Sequence, residues 1–365
     1  MKIVFDEERA FEVFKILEKD WREEKGVFNG VVLPQDRWTL PEDPLKLTQF
    51  LFYAALFMRG GIISDDPFKW LYFLFKQEPE LFDSNYIVSE GVLPEEIEER
   101  LISFFPLNYK IDEHSKAWHH NSHVIVDRWG GDPRKIFDGI DEFEEAFFRV
   151  DWKKNKGQGI RGMRRKIFSL FTIWLQEKSL IPIFPCPVPV DFHALRVLVT
   201  TESVVFKEVG SFVCKERHPK ILEGKKVVMV TGKVINEITK WSQDFLDRTK
   251  ISHMFVNPAL WVLSRELCVK HLQNSTKNRG KSVINAQQLE ENPFLWPRKY
   301  VDPCAFCPLE KYCTGVVPSA FYYRRGLLFR MEKALYRPVQ SFFPGMVLQD
   351  FRAPPYTNRS RINKK

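Results

Sequence analysis

Gly162-Met163-Arg164-Arg165-Lys166 opens a run that is apolar on nearly every side, Ile167-Phe168-Ser169-Leu170-Phe171-Thr172-Ile173-Trp174-Leu175. After a proline-stiffened connector, Pro189-Val190-Asp191-Phe192-His193 opens a second apolar run, Ala194 to Val199. Two helices buried nearly all round, each entered through a charged side chain, describe a mostly helical fold with functional groups at helix N-termini. A third stretch lies further on: Asp302-Pro303-Cys304-Ala305-Phe306-Cys307-Pro308-Leu309-Glu310-Lys311-Tyr312-Cys313. Its three cysteines have metal-ligand spacing.

Working outward, periodicity predicts an amphipathic helix within residues 1–30, through Phe11, Val13, Phe14, Leu17 and Trp21. A proline-rich connector follows, then an apolar helix over Leu45–Met58 ended by Arg59-Gly60-Gly61. Ser64-Asp65-Asp66-Pro67 caps the next helix, and Leu93-Pro94-Glu95 starts another. Ser115–Gly130 and Glu142–Val150 complete the first half. Ser203–Phe212 and Lys225–Val234 are β-branched and strand-like, and helix resumes at Trp241–Phe245 and Pro258–Lys270.

The chain has 365 residues, a net charge of +8 and a sequence pI near 9.0, with 44% hydrophobic and 28% charged residues. Such a composition supports a real core, and the positive balance suits a polyanionic partner whose counterions are released on binding. The N-terminal residues lack the order of a signal peptide, and Leu47–Met58 is too short to span a bilayer. A cytoplasmic, nucleoid-associated monomer without membrane contact is expected. Six cysteines in so long a chain do not make a secreted disulfide framework.

The glycine turn with its lysine, the downstream Val190-Asp191-Phe192-His193 and the terminal cysteine run together resemble the helix-hairpin-helix DNA glycosylases. The branch resembled is that of endonuclease III, with its C-terminal iron-sulfur loop. The resemblance covers roughly residues 45–315. It implies a mainly α, two-lobed glycosylase fold with a small β-containing insertion. The expected organisation is an N-terminal helix and connector (1–44), a helical core (45–200), the insertion (201–255), a cluster subdomain (256–315) and a C-terminal extension with a basic tail (316–365).

The implied activity is excision of a damaged or modified base from double-stranded DNA. Asp191 takes the place of the catalytic aspartate, where one desolvated carboxylate stabilises positive charge growing on the sugar. N-capping is the other role open to an Asp at that point, and the two are compatible. Lys166 takes the place of the Schiff-base lysine of bifunctional members, which would add AP-lyase chemistry; a plain phosphate contact is the alternative. Arg161, Gly162, Arg164, Arg165 and His193 are the expected DNA contacts, although Arg164 stands where the family has a second glycine. The step from Lys166 to Asp191 is also longer than is usual in the family.

The resemblance also implies a [4Fe-4S] cluster on four thiolates. Cys304, Cys307 and Cys313 supply three. The family's remaining ligand would fall at Pro297, so Cys268, at the end of Leu260–Leu267, is expected instead, with an enlarged loop at 269–303. Zinc on the same cysteines is the runner-up. Cys186 and Cys214 read as ordinary buried thiols. His119 and His123 share a helical face and could pair on a metal, but with no third ligand at a recognisable offset they and His120 are expected in packing or surface roles. Trp118, His119 and Asn121 are candidates for the base pocket. Open alternatives are a DNA-structure-binding protein of the same fold, a glycosidase for a modified nucleoside or RNA, and a zinc-stabilised interaction protein.

Overall fold

A computed structural model describes residues 2–58, 65–106, 109–207, 212–213, 226–268, 307–314, 316–323 and 326–333. Strand segments 212–213, 226–229, 316–323 and 326–333 are described through their backbone alone. The architecture is mainly α, with two apolar cores.

The first core is built by seven helices: α2 (Pro44–Phe57), α3 (Asp65–Gln77), α4 (Ser84–Ser89), α5 (Pro94–Ile102), α6 (Ile111–Trp129), α7 (Phe143–Val150) and α8 (Arg165–Glu177). At its centre runs α2, which carries no charge beyond Lys46 and buries every residue from Phe50 to Phe57. Asp43 caps it, accepting a hydrogen bond from the Lys46 amide at 2.8 Å, with Pro44 in the first turn. Tyr53 shows how polar groups survive in this core. Its hydroxyl bonds the hydroxyls of Ser84 (2.9 Å) and Ser122 (2.7 Å), and its ring stacks on Trp118 at 4.0 Å. Burial pushes the phenol up to about 12, so it stays neutral.

The second core joins the chain's beginning to its later half. Strand β1 (Lys2–Phe5) pairs antiparallel with β2 (Val204–Lys207), and α1 (Glu7–Arg22) packs on α9 (Phe192–Thr200), α10 (Gly232–Thr249) and α11 (His253–Leu263). Residues 1–30 are thus not one helix. Lys2-Ile3-Val4-Phe5 extends to meet a partner two hundred residues away, and α1 begins only where Asp6 accepts from the Arg9 amide at 2.9 Å. The stack of Phe5 on Trp241, with centroids 4.6 Å apart, fixes the strand to the core.

The strand-like segments are strands in part. Besides β2, β3 (Phe212–Val213) and β4 (Lys226–Thr231) form, but Gly232 to Val234 already belong to α10. The insertion does not complete its own sheet. β4 pairs with β6 (Gly326–Lys333), which forms a hairpin with β5 (Val316–Tyr323), giving the antiparallel order β3-β4-β6-β5. Residues 316–333, read as part of a C-terminal extension, therefore supply half of that sheet. Among the described residues no helix is long and apolar enough to cross a membrane.

The two cores are tied by a buried hydrogen bond from α8 to α11. His253 Nε2 lies 2.6 Å from Gln176 Oε1, and the Gln176 amide donates to the carbonyls of Pro182 and Phe184 at 3.3 and 3.0 Å. With Gln176 Nε2 committed as donor, Oε1 accepts and His253 carries its proton on Nε2. Burial lowers the His253 pKa from 6.5 to about 4. The neutral imidazole therefore contributes stability that is complete above pH 6.5 and is lost as the pH falls towards 4, because the unfolded chain takes up the proton first. Urea midpoints measured between pH 7 and 4.5 should fall with acid by up to about 1.4 kcal/mol per pH unit from this group. His253→Gln should remove that increment while lowering stability at pH 7; an unchanged acid slope would exclude His253 as its source.

Candidate active site

The segment 151–164 links α7 to α8, and its path is dictated by local bonds. The Asp151 carboxylate accepts from the Lys153 amide at 2.8 Å, and Asn155 Nδ2 donates to the carbonyls of Phe148 and Asp151, both at 2.8 Å. The chain then doubles back, and the Ile160 amide reaches the Val150 carbonyl at 2.9 Å. Only glycine fits at 159, where a Cβ would lie 2.6 Å from that carbonyl oxygen. Gly162 turns with φ of +90°, the left-handed region glycine alone enters freely. Arg164, by contrast, has φ −82° and ψ 165°, extended backbone open to any residue. The turn needs no second glycine here.

From α6, Asn121 clamps this turn by both of its amide atoms. Its Oδ1 accepts from the Arg161 amide at 2.7 Å and its Nδ2 donates to the Arg161 carbonyl at 3.0 Å. His120 stands beside it, with Nε2 3.2 Å from the Gly159 carbonyl and its ring edge-on to Trp152. Asn121 is fully buried, as is Trp118, whose indole N–H donates to the Leu81 carbonyl at 3.0 Å. Both are buried in the first core, and neither lines the cleft between the two cores. His119 and His123 pack ring to ring at 4.7 Å, and burial first, then the charges of His123 and His120, lowers the His119 pKa.

Between Asp151 and Glu177 the chain has seven lysines and arginines and no acid. Arg161 and Arg164 are exposed at the turn. Arg165 is drawn back onto α7, where it pairs with both carboxylate oxygens of Glu144 and lies over the Phe147 ring at 4.8 Å. No side chain caps the N-terminus of α8 and no acid sits in its first turn. The positive end of a helix dipole and two exposed guanidiniums make an anion-accepting edge.

Behind that edge, a cleft opens where the two cores meet. Lys166 and Asp191 face each other across it, Nζ to Oδ2 at 3.4 Å, with 29% and 16% of their side chains exposed. Asp191 also caps α9, its Oδ1 accepting from the His193 and Ala194 amides at 2.8 and 3.1 Å. One oxygen serves the helix and the other faces the cleft. Burial works to raise the Asp191 pKa, but Lys166, the His193 side chain and the two amides outweigh it and hold the carboxyl below the usual range. His193 is itself neutral near pH 7, since burial above all brings it down to about 4. The cation that keeps Asp191 ionised is thus Lys166.

His193 is oriented from the second core. Ser264 Oγ accepts from Arg196 Nη1 at 2.7 Å and lies 3.1 Å from His193 Nδ1, so its own hydrogen is free to point at Nδ1. Arg196, only 4% exposed, lies over the Phe192 ring. Neither His193 nor Arg196 stands on the exposed basic edge.

Ser264 begins a π-helical turn, Ser264–Cys268, that ends α11. Its last residue, Cys268, is buried. The segment 307–314 docks beside it: Leu309 is buried in the second core, Tyr312 donates to Glu12 at 3.2 Å, and the Thr314 amide donates to the Thr200 carbonyl at 3.0 Å. The thiols of Cys268, Cys307 and Cys313 come close enough for their charges to interact. Burial, opposed by Arg196 and supported by Cys313, pushes Cys268 up to about 12, and burial together with Cys268 and Cys313 pushes Cys307 up. With those shifts both thiols stay protonated and neutral near pH 7, and a bound metal or cluster would have to displace their protons. Cys304 lies outside the described residues, and among those described no group of three or more His, Cys, Asp or Glu converges as a complete ligand set. Cys186 is an ordinary buried thiol, and Cys214 lies outside the described residues.

Gln35, Trp174, Glu177 and Trp261 also line the cleft and were not singled out from sequence. Trp174 and Glu177 fall eight and eleven residues after Lys166, on the same helical face, a periodicity that was there to be read. Gln35, in a proline-rich connector, gave no such signal. No protein-family model matches the chain, and no curated protein sequence matches it.

Asn121→Ala should lower stability by about 1–3 kcal/mol, the cost of two lost buried hydrogen bonds to one peptide unit. It should also speed trypsin cleavage at Lys156 and Arg161. Urea unfolding with limited proteolysis checks this, and cleavage at the wild-type rate would show that the clamp does not hold the turn.

Proposed function

We propose that the protein is a DNA N-glycosylase of the helix-hairpin-helix superfamily, of the endonuclease III-like branch, acting on double-stranded DNA that contains a damaged or modified base. The observation that carries this reading is the Lys166–Asp191 pair at 3.4 Å, set in a cleft between the two cores directly behind the basic turn. The exposed side chains of Arg161 and Arg164, presented by the turn at Gly162, would grip phosphate, which positions DNA without reading its sequence. Arg165 would act through the shape of the turn, being paired with Glu144.

In base excision the bond from C1′ to the base nitrogen breaks, the electron pair leaves with the base, and water adds to C1′. Positive charge grows on the sugar as the bond lengthens. A carboxylate fixed by two backbone amides and ionised at neutral pH stabilises that charge without having to reorganise, and it can take the proton of the attacking water. Lys166 favours the ionised form of Asp191. If Lys166 attacks C1′ in place of water, its proton has an acceptor at 3.4 Å in Asp191, and strand cleavage through the resulting imine would follow. His193 supports the floor of the cleft and stays neutral.

Cys268, Cys304, Cys307 and Cys313 are proposed to hold a [4Fe-4S] cluster, with zinc as the alternative. When bound, the group would supply a fixed cross-link between α11 and the cysteine segment, outside the hydrolytic centre. Protein purified without oxygen should be brown with about four irons per chain, and Cys268→Ser should lose both colour and iron. One zinc and no iron would exclude the cluster.

Asp191→Asn is the direct test of the chemistry. Asparagine retains an oxygen to cap α9 but no longer carries charge, so excision from lesion-bearing duplexes should fall by a factor of about 10² or more while the Kd for duplex changes only a few-fold. Loss of binding in step with loss of excision would remove Asp191 from the catalytic role. Binding with no excision by the wild type on any lesion would favour a DNA-structure-binding protein.

A further inference from the structure

The cleft holds a second carboxyl that the excision chemistry does not use. On α8, Lys166, Leu170, Trp174 and Glu177 form one stripe along the cleft wall, because eleven residues return to the same face within about 20°. The stripe is about 16 Å long from end to end at the backbone. It is charged at Lys166, apolar over Leu170 and Trp174, and acidic at Glu177. Gln35 reaches the acidic end from the connector before α2.

Glu177 is poorly satisfied there. Among the described residues its single hydrogen bond is from Gln35 Nε2 to Oε2 at 3.4 Å, a long contact. Its neighbours do not neutralise it, since Lys178 is already paired with Asp36. Burial first, then the Asp36 charge, pushes Glu177 up to about 7, against the weaker pull of Gln35 and Lys178. A half-buried carboxyl that lines the cleft and holds one long hydrogen bond keeps acceptor positions that a ligand can use.

We infer that Glu177 and Gln35 form the specificity end of the cleft, reading the edge of a guanine-type base whose sugar is held near Lys166 and Asp191 and whose ring packs on Trp174. This rests on the glycosylase reading for the flipped nucleotide, and it adds the class of base. In the ionised form, which a ligand bringing two donors favours, the Glu177 carboxylate presents acceptors only. The ligand that satisfies both oxygens must bring two adjacent donors, as guanine does with its ring N1–H and exocyclic amine. Adenine brings one donor beside an acceptor, and hypoxanthine lacks the amine. The Gln35 amide can then turn from Glu177 to an acceptor on the base, such as the guanine carbonyl. Flipped bases are held in this way, between an aromatic face and edge-reading polar groups.

The test uses the full chain and small probes. Quenching of tryptophan fluorescence by 9-methylguanine, 9-methylhypoxanthine and 9-methyladenine should rank guanine first, by about tenfold for each donor lost. Glu177→Gln should erase that ranking, and Gln35→Ala should weaken guanine binding. Glu177→Gln should also be more stable than wild type at pH 8. The folded-state pKa of Glu177 is raised, so its ionisation costs stability as the pH rises from 4.5 through 7, and the amide removes that cost. Unchanged base ranking in Glu177→Gln, or lower stability at pH 8, would overturn the assignment by showing a structural carboxylate. The two readings separate cleanly. Excision that depends on Asp191 with no effect of Glu177 on base choice sinks the specificity end alone, and Glu177-dependent guanine binding without excision from any duplex sinks the glycosylase alone.

Discussion

The ion pair between Lys166 and Asp191 stands where the chain passes from one core to the other. Lys166 begins the last helix of the first core, and Asp191 caps the first central helix of the second. Each would be a burden without its partner, because an unpaired charge at the foot of a buried helix must be desolvated for nothing in return. Together they let two N-terminal helix ends approach one cleft. The positive ends of two helix dipoles then meet there, and a carboxylate is the group such a place holds best. The fold thus produces a lowered Asp191 pKa as a by-product of how its cores are joined.

A second constraint acts on the basic turn. Seven cations within a stretch without acids repel one another, and the fold manages them by sorting. Arg165 is neutralised by Glu144, and Lys166 by Asp191. Arg161 and Arg164 are left outward, with their backbone pinned by Asn121 and by the close approach of Gly159 to Val150. Rigidity matters here because two like charges stay side by side on the surface only where their backbone is held in one conformation. The exposed cations supply attraction, and the buried Asn121 supplies the geometry.

How far the sequence discloses this can be argued residue by residue. The helices α2, α6, α7, α8 and α9 follow from apolar periodicity and from caps at Asp43 and Asp191, since these signals are local. β1 was hidden because its partner lies two hundred residues away, and four residues of Lys-Ile-Val-Phe extend a helical pattern as readily as they start a strand. β5 and β6 were hidden for a related reason. The pairing of β6 with β4 is a tertiary event, and β5 carries Pro318, a residue that strands seldom hold. At the site, the charged helix starts were legible and the Gly162 turn was recognisable, yet the departure at Arg164 looked more serious than it is. A backbone angle of −82° never asked for glycine. Asn121 could be found as a polar residue on an apolar face, but its partner, a backbone peptide, leaves no mark in sequence.

The π-turn at Ser264–Cys268 joins these points into one chain of contacts. A π-turn displaces the side chains that follow it relative to an α-helix, and such turns cluster at functional sites. Here it places the Ser264 hydroxyl between Arg196 and His193 and ends on Cys268, whose thiol feels the Arg196 charge. Arg196 is nearly fully buried, and a buried guanidinium is tolerated only where negative charge is near. Asp191 on one side and the thiol group on the other are the candidates within its field. Arg196 in turn holds Ser264, and Ser264 holds His193 against the carboxylate that faces the cleft. Cys268 thus bears on the site without touching any reacting atom, because it ends the same π-turn whose Ser264 sits between Arg196 and His193 on the second core's wall of the cleft.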